Sequence, residues 1–173
     1  MIKKMINLIL ILSAVSCSGT KSIQQIESVK FKLPEDAVRI DNTVLNPNSK
    51  RDQKLIQLKN VYKVDDVFIG LSQPFTGNLK ENFLEEEKKG FDYDYKKFDL
   101  VESHQYKSSI EKINGNDVLV TYSYYENLGQ YSFKVLKTDN TQIIGGTIVF
   151  EKQSDYTSST KILHDLLESV KFQ

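Results

Sequence analysis

The chain has 173 residues, with 23 basic and 23 acidic side chains and no formal net charge. That balance argues against a nucleic-acid binder, which needs a basic excess to neutralise phosphates, and against a polybasic membrane patch. A lone cysteine excludes an internal disulfide, so the domain must be held together by packing.

The N-terminus opens with Lys3 and Lys4, followed by an apolar run from Ile6 to Val15 interrupted only by Asn7 and Ser13. A charged start, a short apolar stretch and small residues before a cut are the parts of a secretory signal peptide. The run falls well short of the ~20 residues needed to span a bilayer. The stretch Leu12-Ser13-Ala14-Val15-Ser16-Cys17 resembles a bacterial lipobox, with Ala14 where Leu is commonest. The resemblance implies that residues 1–16 are removed and that Cys17 is acylated and becomes the new N-terminus. The alternative is an ordinary signal peptide that leaves Cys17 as a stray thiol. Residues 17–24 then read as a lipid-anchored tether, since Ser18 to Ser22 are small and polar, and residues 25–173 as one domain. Beyond residue 16 the chain holds 21 basic and 23 acidic side chains, still near neutral.

Val29, Phe31 and Leu33 alternate with Lys30 and Lys32, predicting a half-buried strand that Pro34 ends. Val38 and Ile40 predict a second, shorter one. Asn42 to Gln53 reads as a loop with its tip at Asn46-Pro47-Asn48-Ser49. Leu55 to Lys63 follows neither the helical nor the strand period. Val67 to Leu71 reads as a buried strand. The spacing of Leu79, Phe83 and Leu84 predicts a helix over 78–89, capped by Thr76 or Asn78 and closed by Gly90.

Strands are expected around Leu100-Val101 and from Tyr106 to Ile110. Asn114-Gly115 marks a hairpin. Val118, Val120, Tyr122 and Tyr124 alternate towards a turn at Glu126 to Gly129. Tyr131, Phe133 and Val135 form the next strand, and Ile143 to Phe150 the one after, with Gly145-Gly146 as a bulge or a close backbone contact. A last helix, capped within Thr157 to Thr160, presents Ile162, Leu163, Leu166, Leu167 and Val170 to a sheet. The fold class is therefore α+β, built on an antiparallel meander.

The opening strand Val29-Lys30-Phe31-Lys32-Leu33-Pro34-Glu35 and the closing run from Ile162 to Phe172 resemble the ends of PsbP-like domains. Such domains include a photosystem extrinsic subunit, a nuclear-import factor that binds the GTPase Ran, and bacterial envelope lipoproteins of the DcrB type. The resemblance implies an antiparallel sheet flanked by helices on both faces. It implies no catalytic residues, because the family shares no catalytic site.

Candidate chemistry is sparse. His104 and His164 both read as solvated histidines. There is no Cys nucleophile and no G-x-S-x-G elbow, and two isolated histidines make a poor zinc site. Asp65-Asp66, and Asp92 with Asp94 and Asp99, offer carboxylates to calcium, but without a glycine turn among them. No metal and no cofactor is expected. Tyrosines beside turns suit protein recognition, which makes Tyr125 with Leu128, or the segment holding Tyr93 and Tyr95, the candidate contact residues.

The expected function is non-catalytic: a lipid-anchored protein of the bacterial envelope, on the periplasmic side or at the outer membrane. It would contact the membrane through the lipid on Cys17, bind another envelope or periplasmic protein, and not bind nucleic acid. Two other readings stay open: an immunity protein neutralising a periplasmic toxin, and a carrier of a small apolar ligand held between sheet and helix.

Overall fold

A computed structural model describes residues 21–96 and 104–173. The chain forms β1 (Lys21–Ile26), β2 (Val29–Pro34), β3 (Val38–Ile40), α1 (Lys50–Gln53), β4 (Asn60–Val64), β5 (Val67–Leu71), β6 (Phe75–Thr76) and α2 (Phe83–Lys96). It continues through β7 (Gln105–Ile113), β8 (Asn116–Tyr125), β9 (Leu128–Leu136), β10 (Gln142–Phe150), α3 (Tyr156–Ser169) and β11 (Lys171–Phe172). Every strand pairing is antiparallel. The large sheet runs β3-β4-β5-β10-β9-β8-β7, with β6 added on β10, and the small sheet runs β1-β2-β11.

The expected meander is β7 to β10. Asn114 and Gly115 both take positive φ, 49° and 80°, which matches the twist of a two-residue hairpin. Glu126 and Asn127 do the same at the next turn, with φ of 49° and 63°. Gly145 and Gly146 form no bulge, since β10 keeps an unbroken register with β9. Gly146 is a close contact: a Cβ there would stand 2.6 Å from the Gly70 carbonyl oxygen.

Helix α3 lies on one face of the large sheet. Ile162, Leu163, Leu166 and Leu167 are buried against β2 residues Val29, Phe31 and Leu33 and against Val118, Phe133, Ile148 and Phe150 of the meander. Tyr131 and Thr160 share a hydroxyl–hydroxyl hydrogen bond of 2.6 Å that pins the helix to β9. The helix starts at Tyr156, earlier than the expected cap among 157–160, and Asp155 precedes it without a side-chain cap bond. The two terminal motifs meet directly, with Phe172 opposite Val29 and Lys171 opposite Lys30.

Several expectations are corrected. Residues 21–24, assigned to a tether, lie in β1, because their backbone pairs with β2 from Lys21↔Pro34 onward. The segment 42–53 is not all loop: Asn42–Val44 forms a 3-10 turn and Lys50–Gln53 a short helix whose first turn bonds the Ser49 hydroxyl. The ambiguous 55–63 stretch divides into a turn and β4. Helix α2 begins later than expected and runs straight through Gly90 to Lys96. Glycine costs a helix interior about 1 kcal/mol, whereas Leu84 and Phe91, on either side of it, both pack into the sheet-facing cluster with Leu119 and Ile143. The expected strand around Leu100-Val101 lies outside the described residues.

Truncating a buried Leu to Ala costs about 2–5 kcal/mol, while an exposed site changes stability by roughly 0.5 kcal/mol or less. Leu166 is buried and His164 exposed. Thermal unfolding should therefore show a clear loss for Leu166→Ala and almost none for His164→Ala. Equal effects from the two would refute this packing of α3.

Candidate functional site

The other face of the sheet is covered only in part. Cross-strand register sets Thr121 opposite Ser132, Ser132 opposite Thr147, and Thr147 opposite Gly70, so four small residues cross β8, β9, β10 and β5 in one row. Their polar groups are engaged: Thr147 Oγ1 donates to the Tyr131 carbonyl at 2.8 Å, and Ser132 Oγ accepts from Gln130 Nε2 at 2.9 Å. Such side chains are too short to reach α2. A trough of about 610 Å³ results, lined by Leu79, Phe83 and Phe91 and by Lys54, Leu58 and Phe75. The volume is in the usual range for small-ligand sites.

The wall at 54–58 is held from below by α1. Asp52 is buried; it accepts from Arg51 Nε at 2.6 Å and from the Asn46 backbone N–H at 2.8 Å. Burial pushes its carboxyl up, but these bonds and the guanidinium hold it below the usual range. The Arg51 guanidinium also stacks over the Phe68 ring at 4.1 Å. Leu55 and Leu58 close over Gly70, where a Cβ would collide with both.

A second cavity of about 620 Å³ opens from the same region and shares Lys54 and Phe91 with the trough. Tyr95, His104, Tyr125 and Leu128 line it. Tyr95 stacks on Tyr106, with centroids 4.1 Å apart and planes 11° apart, and its hydroxyl lies 3.3 Å from Ser123 Oγ. His104 stands between Tyr95 and Tyr125, at 5.3 and 5.6 Å from their rings. A Lys50–Glu126 ion pair sits on the rim, and Glu126 raises the pKa of the Tyr125 phenol beside it.

Three of the four expected contact residues thus converge. Tyr95 and Tyr125, expected on alternative surfaces, line one cavity with Leu128. Tyr93 does not join them; it is 64 % exposed and does not line the cavity. The stretch from Phe91 to Tyr95 is helical, so Tyr93 and Tyr95, two residues apart, point in different directions. His104 is half-buried among aromatic rings, not exposed. Lys54, Leu58 and Lys134 were missed, the first two because their segment carries no period. Cys17 lies outside the described residues.

Two of the carboxylates read as possible calcium ligands, Asp92 and Asp66, have other partners. Asp92 accepts from Ser108 Oγ at 2.6 Å and Tyr106 OH at 3.0 Å and pairs with Lys88 at 2.7 Å, tying α2 to β7. Asp66 pairs with Lys152. Asp99 is outside the described residues. Among the described residues, His164, Asp165 and Glu168 bring three ligand atoms within 4.8 Å of one another on the outer surface of α3. Lys161 also reaches Asp165, at 3.2 Å. No helix among the described residues is long and apolar enough to cross a membrane.

No family model and no curated protein matches the chain. Solved structures do. Cyanobacterial PsbP (CyanoP) from Synechocystis matches over 92 % of this chain and 96 % of its own, at 8 % identity and a TM-score of 0.52. The fold is PsbP-like. A protein from Bacteroides thetaiotaomicron matches over 90 % of this chain at 13 % identity and a TM-score of 0.53. This chain spans about half of that protein's length, 48 %. At such identities the likeness is one of fold: an antiparallel sheet with α2 on one face and α3 on the other.

Burial pushes the Asp92 carboxyl up, but its bonds from Lys88, Ser108 and Tyr106 hold it below the ordinary value of 3.8. The stability it contributes is complete above that value and is lost as pH falls through the lower folded one. Wild type should exceed Asp92→Asn in melting temperature near neutral pH, and the gap should close as the pH drops below about 4. A gap that persists undiminished in acid would show that the carboxylate's charge is not what joins α2 to β7.

Proposed function

We propose that this chain is a lipid-anchored protein of the bacterial envelope that acts by binding another envelope or periplasmic protein, without catalysis. The observation that carries the reading is the convergence of Tyr95, Tyr125 and Leu128 with His104 around one cavity. Aromatic anchors inside a polar rim are the arrangement by which a few side chains supply most of an interface's energy. Here the rim is the Lys50–Glu126 pair with Asp94 and Gln53. A tether raises local concentration, so a weak interface suffices at a membrane.

The anchor rests on the N-terminal sequence. Labelled palmitate should enter the wild-type chain and not Cys17→Ala; equal labelling of both would sink the lipoprotein reading.

Tyr125 is 39 % exposed, so removing its ring should weaken partner binding without unfolding the domain. Cross-linking in envelope extracts should yield a partner with wild type and much less of it with Tyr125→Ala, at unchanged melting temperature. His164 lies on the exposed side of α3, away from this cavity, so His164→Ala should keep partner capture. Loss of function there, with folding intact, would overturn the non-catalytic reading in favour of a histidine-based site.

A further inference from the structure

We infer that the trough beneath α2 binds a single-chain anionic amphiphile of the fatty-acid class, with its tail over the Thr121–Ser132–Thr147 row and its head at Lys54. This goes beyond the protein-binding reading and does not depend on it, since its own lining carries it, although the two spaces share Lys54 and Phe91. Three observations carry it.

The first is shape. The trough is a concavity of about 610 Å³, not a flat face, and its floor is set by residues too small to fill it. Helix α2 cannot close down further. Leu84 already packs on Leu119, Leu136 and Ile143, and Lys134 pairs with Glu87 while lying over the Phe83 and Phe91 rings at 5.5 and 6.0 Å. The opposite wall is likewise fixed by the buried Asp52. The space is therefore held open by both sides.

The second is lining. Leu58, Leu79, Phe83, Phe91, Leu119 and Ile143 supply apolar surface, and the floor hydroxyls of Thr147 and Ser132 already have partners. A polar solute would find little to bond, whereas a methylene chain gains about 0.8 kcal/mol per buried CH₂.

The third is charge. The charged side chains lining the trough are Lys54 and Lys134, with no acid. Lys134 is occupied by Glu87. Lys54 is exposed and has no ion pair among the described residues. It also lines the aromatic cavity, so it stands where the two spaces join. A tail lying in the trough would thus end with its head at the junction, against a lysine free to meet an anion. A carboxylate and a phosphate would both satisfy that ammonium.

The test uses the full chain carrying Cys17→Ala, so that no acyl group of its own competes. Binding of cis-parinarate, a fluorescent fatty acid, is followed by its emission, and oleate, lysophosphatidylglycerol and neutral monoolein are added as competitors. Oleate should displace the probe, and monoolein should do so more weakly. Displacement by oleate alone identifies a free fatty acid; displacement by lysophosphatidylglycerol as well identifies the shared anionic amphiphile. Lys54→Met keeps the apolar stem and should weaken oleate by about three- to tenfold while leaving monoolein unchanged. Ser132→Leu should fill the floor and abolish probe binding, and its melting temperature shows whether the domain remains folded. Should Ser132→Leu unfold the chain, Lys54→Met against the two competitors decides the matter alone. The inference is overturned if the folded parent chain does not bind cis-parinarate, if folded Ser132→Leu binds it as well as the parent, or if monoolein matches oleate. Partner capture that fails while cis-parinarate binds would sink the protein-binding reading and leave this one standing.

Discussion

The centre of the large sheet, at β5 and β10, is buried on both faces, and the rest of the molecule follows from that. All five residues of β5 are buried, and so are seven of the nine in β10. A sheet with one wet face shows alternation instead. These central strands need cover above and below, and the chain supplies one long helix for each side. The two covers differ in completeness, and the difference comes from the sheet rather than from the helices.

On the α3 side the strands present large residues. Val118, Tyr122, Tyr131, Phe133, Ile148 and Phe150 meet the helix, and β2 closes the cluster from its other flank. Packing there leaves no room for a change of shape without loss. On the α2 side the register aligns Thr121, Ser132, Thr147 and Gly70. Leu55 and Leu58 cover Gly70, while the short side chains of Thr121, Ser132 and Thr147 leave a gap that α2 does not fill. The same fold therefore has a structural face and an open one, and the open face carries the features that point to binding.

Polar groups decide how α2 sits over the open face. Asp92 gathers Lys88, Tyr106 and Ser108, and Lys134 reaches Glu87. The Asp92 link lies outside the trough's lining, and Lys134 is part of that lining. The two links hold the helix in place without filling the space beneath it, which is what a permanent concavity requires. The aromatic cavity follows from the same placement, because fixing α2 brings Tyr95 onto Tyr106 and towards Tyr125.

What the sequence determined by itself is whatever neighbouring residues can specify. Alternation placed Val29, Phe31 and Leu33 on one buried face, Asn114-Gly115 set a hairpin through its positive φ, and the spacing of Leu163, Leu166 and Leu167 marked the buried side of α3. Each depends on backbone preference or burial over a few residues. The tertiary structure alone decided the rest. Helix α2 continues through Gly90 because distant strands receive Leu84 and Phe91, and the C-terminal Lys171-Phe172 becomes a strand only because β2 offers an edge. Tyr95 and Tyr125, 30 positions apart in the chain, share a cavity, and Thr121 faces Ser132, Thr147 and Gly70 across four strands. Such neighbours are set by strand register, which no local run of residues encodes, and so the trough could not be read before the fold was known.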